Sequence, residues 1–141
     1  MKCAVYVGSF LLSVLLLLQG CMCFDSCGAP SPSLLFEQGS SDCRLEDETE
    51  SASVSFLNGV LTFSGKITTA TPCQHLIPSL TLCGNRILVR INAISQPGAC
   101  PLCLGMVDYE GGIVGLSPGD YHIRLVHEDR TVLELQVAIG G

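Results

Sequence analysis

The stretch Gly115-Leu116-Ser117-Pro118-Gly119-Asp120-Tyr121 decides how this chain is read. Gly115, Ser117 and Gly119 have the G-x-S-x-G spacing of a nucleophile elbow, and the same residues read as a tight turn feeding a β-strand. An elbow holds its serine on a sharp strand-to-helix turn, and the next residue's N–H completes the oxyanion hole. Here the next residue is Pro118, which has no N–H to donate. Downstream, Tyr121, Ile123 and Leu125 recur at period two, the spacing of a strand rather than a helix. His122 and His127 lie five residues apart, so a strand points them to opposite faces. The stretch is a turn, and the sequence assigns no catalytic residue.

The same alternation spreads outward from that turn. Leu133, Leu135, Val137 and Ile139 share one face of a strand at about 132–139, with Glu134 and Gln136 on the other. Upstream, Ile87, Val89, Ile91 and Ala93 oppose Arg86, Arg90 and Asn92 over 86–95. Val54 and Phe56, the turn Asn58-Gly59, then Leu61, Phe63 and Ile67 form a hairpin, for which Asn-Gly between alternating runs is the strongest short signal. A strand at about 75–82 carries Pro78, which places it at an edge or a bulge. Strands at about 102–109 and 120–127 complete the set, with Glu128-Asp129-Arg130 turning the chain between the last two. About seven short strands with frequent turns and no helix predict an antiparallel sandwich over residues 52–141.

The N-terminus supplies an address. Lys2 precedes an apolar block, Ala4 to Leu18, centred on Leu15-Leu16-Leu17-Leu18, which is the layout of an export signal in residues 1–20. Leu17-Leu18-Gln19-Gly20-Cys21 resembles a prokaryotic lipobox, which implies that Cys21 becomes the lipid-modified first residue of the mature chain. Ordinary signal cleavage after Cys23 is the alternative, and it leaves an even set of cysteines: Cys27, Cys43, Cys73, Cys83, Cys100 and Cys103. In an exported chain these form disulfides. Residues 21–51, with Gly28-Ala29-Pro30-Ser31-Pro32-Ser33, Gly39-Ser40-Ser41 and the acidic run Glu46-Asp47-Glu48 with Glu50, read as a solvated tether. Seven Lys and Arg stand against thirteen Asp and Glu, a formal charge of −6, with no basic run. The chain therefore has no electrostatic footprint for nucleic acid. Asn58, Asn85 and Asn92 lack the Ser or Thr of a glycosylation acceptor.

Two resemblances sharpen the fold. Leu116, Pro118, Gly119 and Tyr121 resemble the corner turn of fibronectin-III-like and other immunoglobulin-like modules, where a tyrosine pins the crossing between sheets. That implies an immunoglobulin-like sandwich with Leu116 and Tyr121 buried. The stretch from Thr71-Pro72-Cys73 to Gly98-Ala99-Cys100 resembles a set of small exported prokaryotic proteins, an address without an activity.

The remaining constellations are structural. Cys100-Pro101-Leu102-Cys103 has C-x-x-C spacing, but a strand follows where a redox motif needs a helix N-terminus. Cys73, Cys83, Cys100 and Cys103 contain only one C-x-x-C half of a zinc site. Gly59 to Lys66 misses the P-loop spacing and has Ile67 where magnesium needs a hydroxyl. His75, His122 and His127 show no ligand spacing. No cofactor or metal is expected.

Strand direction orders the cysteines. If 75–82, 86–95 and 102–109 form a meander, Cys73 sits at the same end as Cys100 and Cys103, and Cys83 lies about 25 Å away. A bridge needs Cα atoms within about 7 Å, so Cys73 can pair with Cys100 or Cys103 but not with Cys83, and Cys100 is chosen because Pro72 and Gly98 place both thiols in turns just outside the strands. Cys27 and Cys43 are the natural second pair in the tether, with Cys83 and Cys103 unassigned. The expectation is a non-catalytic binding or structural module, held to the membrane by its lipid and facing another surface or secreted protein. The alternative is a soluble secreted regulator, such as a protease inhibitor presenting Gln96-Pro97-Gly98-Ala99.

Overall fold

The computed structural model describes residues 31–140. Among them are eight strands and no helix: β1 (Ser33–Cys43), β2 (Ser51–Leu57), β3 (Val60–Thr69), β4 (Gln74–Cys83), β5 (Arg86–Ser95), β6 (Gly105–Val114), β7 (Gly119–His127) and β8 (Arg130–Ile139). They form two four-stranded sheets, ordered β1-β6-β3-β2 and β4-β5-β7-β8. The sheets pack face to face as a β-sandwich. From the first come Leu61, Phe63, Ile67, Val107, Tyr109 and Ile113; from the second, Leu76, Ile87, Val89, Ile91, Ile123 and Leu125. These are the inward positions of period-two alternation, which is why short runs of Val, Ile and Leu become strands here.

Asn58 and Gly59 turn the β2–β3 hairpin with φ of 52° and 79°, the left-handed values that a two-residue turn of this kind requires. Pro78 lies on β4, an edge strand, as its missing N–H demands.

Two expectations are corrected. Residues 21–51 are not a tether throughout, because 33–43 form β1, paired antiparallel with β6 from Ser33↔Val114 to Cys43↔Gly105. Leu34, Phe36 and Gln38 face inward between exposed neighbours, and this alternation outweighs the Pro/Ser/Gly composition around it. The second correction concerns strand order. β4 and β5 do pair antiparallel, but β6 leaves them and inserts between β1 and β3 in the other sheet, so there is no three-strand meander. Alternation specifies which face a strand buries, not which strand lies beside it. The sheets are largely antiparallel, as expected, with one parallel pair. The chain crosses between sheets before and after β6, so β7 returns in the direction of β5 and pairs with it in parallel, Arg86↔His122 to Ile91↔His127.

Packing beside β6 depends on two glycines. A Cβ on Gly111 would lie 2.3 Å from Phe63 Cζ and 2.7 Å from the Leu35 carbonyl, so the Phe63 ring closes over bare backbone. A Cβ on Gly65 would lie 2.4 Å from the Tyr109 hydroxyl. Gly65 leaves the gap into which that hydroxyl points.

Candidate functional site

The sandwich has two poles. At one, β1 begins at Ser33 beside Val114, the end of β6. At the other, β1 ends at Cys43 and β6 starts at Gly105. Ten strand steps separate Ser33 from Cys43, about 33 Å.

Two disulfides shape the second pole. Cys73 is bonded to Cys100 with Cα atoms 5.9 Å apart, and Cys43 to Cys103 at 5.7 Å. The pairing of Cys43 with Cys27 is thereby corrected: the end of β1 is hydrogen-bonded to the start of β6, which brings Cys43 to the loop that precedes it. Cys27 and Cys21 lie outside the described residues. Cys100 and Cys103 each join a different strand end, so their C-x-x-C is two structural staples rather than one redox pair. Among the described residues no group of His, Cys, Asp and Glu could hold a metal ion.

The 96–104 connection is thus fastened at two points three residues apart, and Leu102 between them is fully exposed. Leu104 follows at 54% exposure and Leu45 at 64%. The Arg44 N–H donates to the Leu104 carbonyl at 2.8 Å, which holds the two leucine-bearing segments together. The result is an apolar knob on a braced loop, bordered by the acidic Glu46-Asp47-Glu48 segment.

A buried polar chain runs behind the same pole, and no motif or spacing in the sequence points to it. Glu50, read there as part of a solvated acidic run, instead has a side chain only 14% exposed. The Tyr109 hydroxyl is 2.7 Å from His127 Nε2, and His127 Nδ1 is 3.1 Å from Glu50 Oε2. The Thr68 N–H donates to Glu50 Oε1 at 3.1 Å, and Arg130 pairs with Glu50 Oε2. Burial holds His127 below its ordinary pKa despite the adjacent carboxylate, so the ring is neutral. Burial and the nearby Glu50 charge hold the Tyr109 phenol well above the usual range. Burial opposes ionisation of Glu50, but the hydrogen bonds from His127 and Thr68, with the Arg130 charge, outweigh it and lower its pKa. The direction of donation follows: Tyr109 O–H to Nε2, Nδ1–H to the carboxylate. This geometry resembles a hydrolase relay, but Tyr109 and His127 are 3% and 2% exposed, so no substrate reaches the hydroxyl. The relay joins Tyr109 of one sheet to His127 and Arg130 of the other.

At the opposite seam a single side chain does the equivalent. The Gln38 amide donates to the Gln74 carbonyl at 3.0 Å and accepts from the Leu76 N–H at 2.8 Å, standing in for a strand neighbour along the edge of β4.

The remaining sequence-marked residues are placed as follows. The Tyr121 hydroxyl donates to the Ser117 carbonyl at 3.0 Å, so the G-x-S-x-G stretch is closed on itself as a turn. Leu116 and Tyr121, expected to be buried, are half-buried against the core, because their turn lies at the end of the sandwich. Pro118 and Gly119 are exposed. His122 faces outward to Glu134 at 3.0 Å, and His75 is exposed. The outer face of the first sheet carries a shallow groove of about 690 Å³. Hydroxyl pairs Ser53–Ser64 and Ser55–Thr62 form one side of it and Glu37 and Glu110 another. Set beside known proteins, the chain matches no family model, no curated protein and no solved structure.

Proposed function

We propose that this chain is an exported, lipid-anchored, non-catalytic binding module of the cell surface, with an immunoglobulin-like sandwich as its scaffold. The observation that carries the reading is the polarity of the sandwich. The N-terminal segment, with Cys21 as the lipidated residue, enters at the Ser33 pole, and Leu102 stands at the far one. An anchored chain of this shape presents its braced apolar knob away from the membrane. A loop rigid before binding loses little conformational entropy when it docks, and an exposed leucine is the type of anchor an apolar pocket accepts. The Tyr121–Ser117 hydrogen bond supports the immunoglobulin-like corner, while the parallel β5–β7 pair sets the strand order apart.

Detergent partitioning tests the anchor. The full chain made in a lipoprotein-processing bacterium should enter the detergent phase, and Cys21→Ser should remain in the aqueous phase. A mature chain that begins at Phe24 without added lipid mass would overturn the anchor. Labelling by a serine-hydrolase probe that Ser117→Ala abolishes would overturn the non-catalytic reading.

One observation favours a second reading, a soluble secreted inhibitor of proteases. The loop pinned by Cys100 and Cys103 has the stiffness such an inhibitor needs, with Leu102 rather than Gln96 to Ala99 as the residue offered to an apolar specificity pocket. Inhibition of chymotrypsin by wild type, lost in Leu102→Asp, would select it.

A further inference from the structure

The two outer faces of the sandwich differ in charge. On the first sheet Glu37 and Glu110 are paired directly across β1 and β6, and Ser64 and Ser53 continue their row across β3 and β2. Like charges set directly opposite are destabilising, and among the described residues neither carboxylate has an ion pair. Both line the groove on this face, which reaches bare backbone at Gly112, carries the exposed Leu35 and contains no Lys, Arg or His. On the second sheet Ile87, Val89, Ile91, Ile123 and Leu125 point into the core, so their neighbours point out. Those outward positions include Arg86, Arg90 and Arg124, three of the seven Lys and Arg in the chain. Register sets Arg86 beside His122, Arg124 beside Leu88 and Arg90 beside Val126, in adjacent rows. The anions near them are Glu134, 3.7 Å from Arg124 and 3.0 Å from His122, and Asp129, 4.0 Å from Arg90, with Asp120 beyond the last row. Arg86 has no ion pair among the described residues. Exposed Ile77 and Ile94 share this face.

We propose that these faces dock on each other, the acidic groove of one copy taking the arginine face of a second copy of this chain. A guanidinium presents planar, forked donors that suit a carboxylate, and Arg86 supplies the cation that Glu37 and Glu110 lack. A foreign cationic protein would serve the groove alone. A second copy satisfies the groove and Arg86 together, and that complementarity selects it as the occupant. The two faces lie on opposite sides of the sandwich, so the contact is heterologous, and each docked pair leaves one groove and one arginine face free. Copies therefore add in a row instead of closing as a twofold pair. Four strands about 4.8 Å apart and about seven residues long present roughly 450 Å². Two such faces bury about 900 Å², below the 1,200 Å² or so of stable complexes, so the association is weak in solution. The Ser41 hydroxyl bond to the Pro72 carbonyl puts the start of β4 at the Cys43 pole, so Arg86, opposite the end of β4, lies toward the Ser33 pole, as Glu37 and Glu110 do. Neighbours can thus stand side by side pointing the same way. The proposal rests on neither the anchor nor Leu102.

Sedimentation equilibrium of the exported native chain, in a density-matched non-ionic detergent, tests this up to about 1 mM, as a weak contact requires. At 0.15 M salt the Debye length is about 8 Å, which screens the overall charge of two copies while contacting pairs still attract. The mean mass should rise with concentration there and fall back to the monomer at about 1 M salt. Glu37→Arg with Glu110→Arg should stay monomeric, and so should Arg86→Glu with Arg90→Glu. An equimolar mixture of the two variants should associate again, because each then offers the face the other needs. Wild type that stays monomeric throughout, reversed variants that associate like wild type, or a mixture that does not associate would each overturn the proposal. Monomeric wild type that binds an oligoarginine peptide would give the groove to a foreign partner, and that too overturns it. Should a reversed variant fail to fold by circular dichroism, Glu37→Gln with Glu110→Gln decides, with association expected to weaken about tenfold or more.

Discussion

Replacing Tyr109 by Phe removes one oxygen and leaves the ring in place. Phe36 and Phe63, with centroids 6.0 and 6.4 Å from that of Tyr109, keep their neighbour, so no core cavity opens. What is lost is the 2.7 Å hydrogen bond to His127 Nε2. A neutral hydrogen bond contributes a net stability of about 1 kcal/mol, and leaving a buried acceptor unsatisfied costs about 1–3 kcal/mol. His127 is almost wholly buried, and its ring cannot turn to water without releasing Glu50. The expected loss is therefore about 2 kcal/mol. Equilibrium urea unfolding at pH 7.5, with disulfides intact and followed by circular dichroism, should show the midpoint falling by about 1 M at an unchanged slope. In a His127→Phe background the hydroxyl has no partner, so the same change should cost nothing there, and the coupling should be about 1 kcal/mol or more. A loss below about 0.5 kcal/mol in the single variant, or additive effects in the pair, would refute the relay as a joint between the sheets.

The same residues set the pH dependence. His127 is held below 6.5 in the folded chain, so the unfolded chain binds that proton first, and stability falls as pH drops below about 6.5. Glu50, held below 4.5, adds a further loss in more acidic solution. Tyr109, held above 10.0, gives the opposite flank: the unfolded chain ionises first, and stability falls above about pH 10. Urea midpoints across pH 4–11 should trace this dome, and a flat profile from pH 7 to 5 would be at odds with a neutral buried His127. Gly111→Ala should cost about 2–4 kcal/mol, because its Cβ meets the Leu35 carbonyl as well as Phe63. Gly112→Ala, whose nearest neighbour is Val60 Cγ1 at 3.2 Å, should cost much less, and thermal melts of the two variants compare them directly.

Much of the secondary structure was legible because alternation is a local property. Ile87 to Ala93 and Leu133 to Ile139 announce which face each strand buries, and Asn58-Gly59 announces its hairpin. Pro118 alone removes the elbow reading, since a missing N–H is missing in any fold. β1 was lost to view because Gly39, Ser40 and Ser41 look like linker. In the structure a bulge after Gln38 absorbs Gly39 and Ser40, and pairing resumes at Ser41.

The site was far less legible. Glu50, Tyr109 and His127 are scattered along the chain, and nothing in their spacing relates them. A lone carboxylate in an acidic run carries the same sequence signal whether it is solvated or stapled to a buried histidine. The two disulfides show the division most plainly. Strand direction brought Cys73 toward Cys100 even though the assumed meander does not exist, because both residues lie where strands of the second sheet begin and end. Cys43 could not be assigned to Cys103 until β1 was known to lie against β6. The sequence by itself determined the strands, their buried faces and their turns, because sterics and side-chain alternation act between near neighbours. Only the tertiary structure decided which strands are adjacent, which cysteines meet and where Leu102 points, because those depend on contacts between residues far apart in the chain.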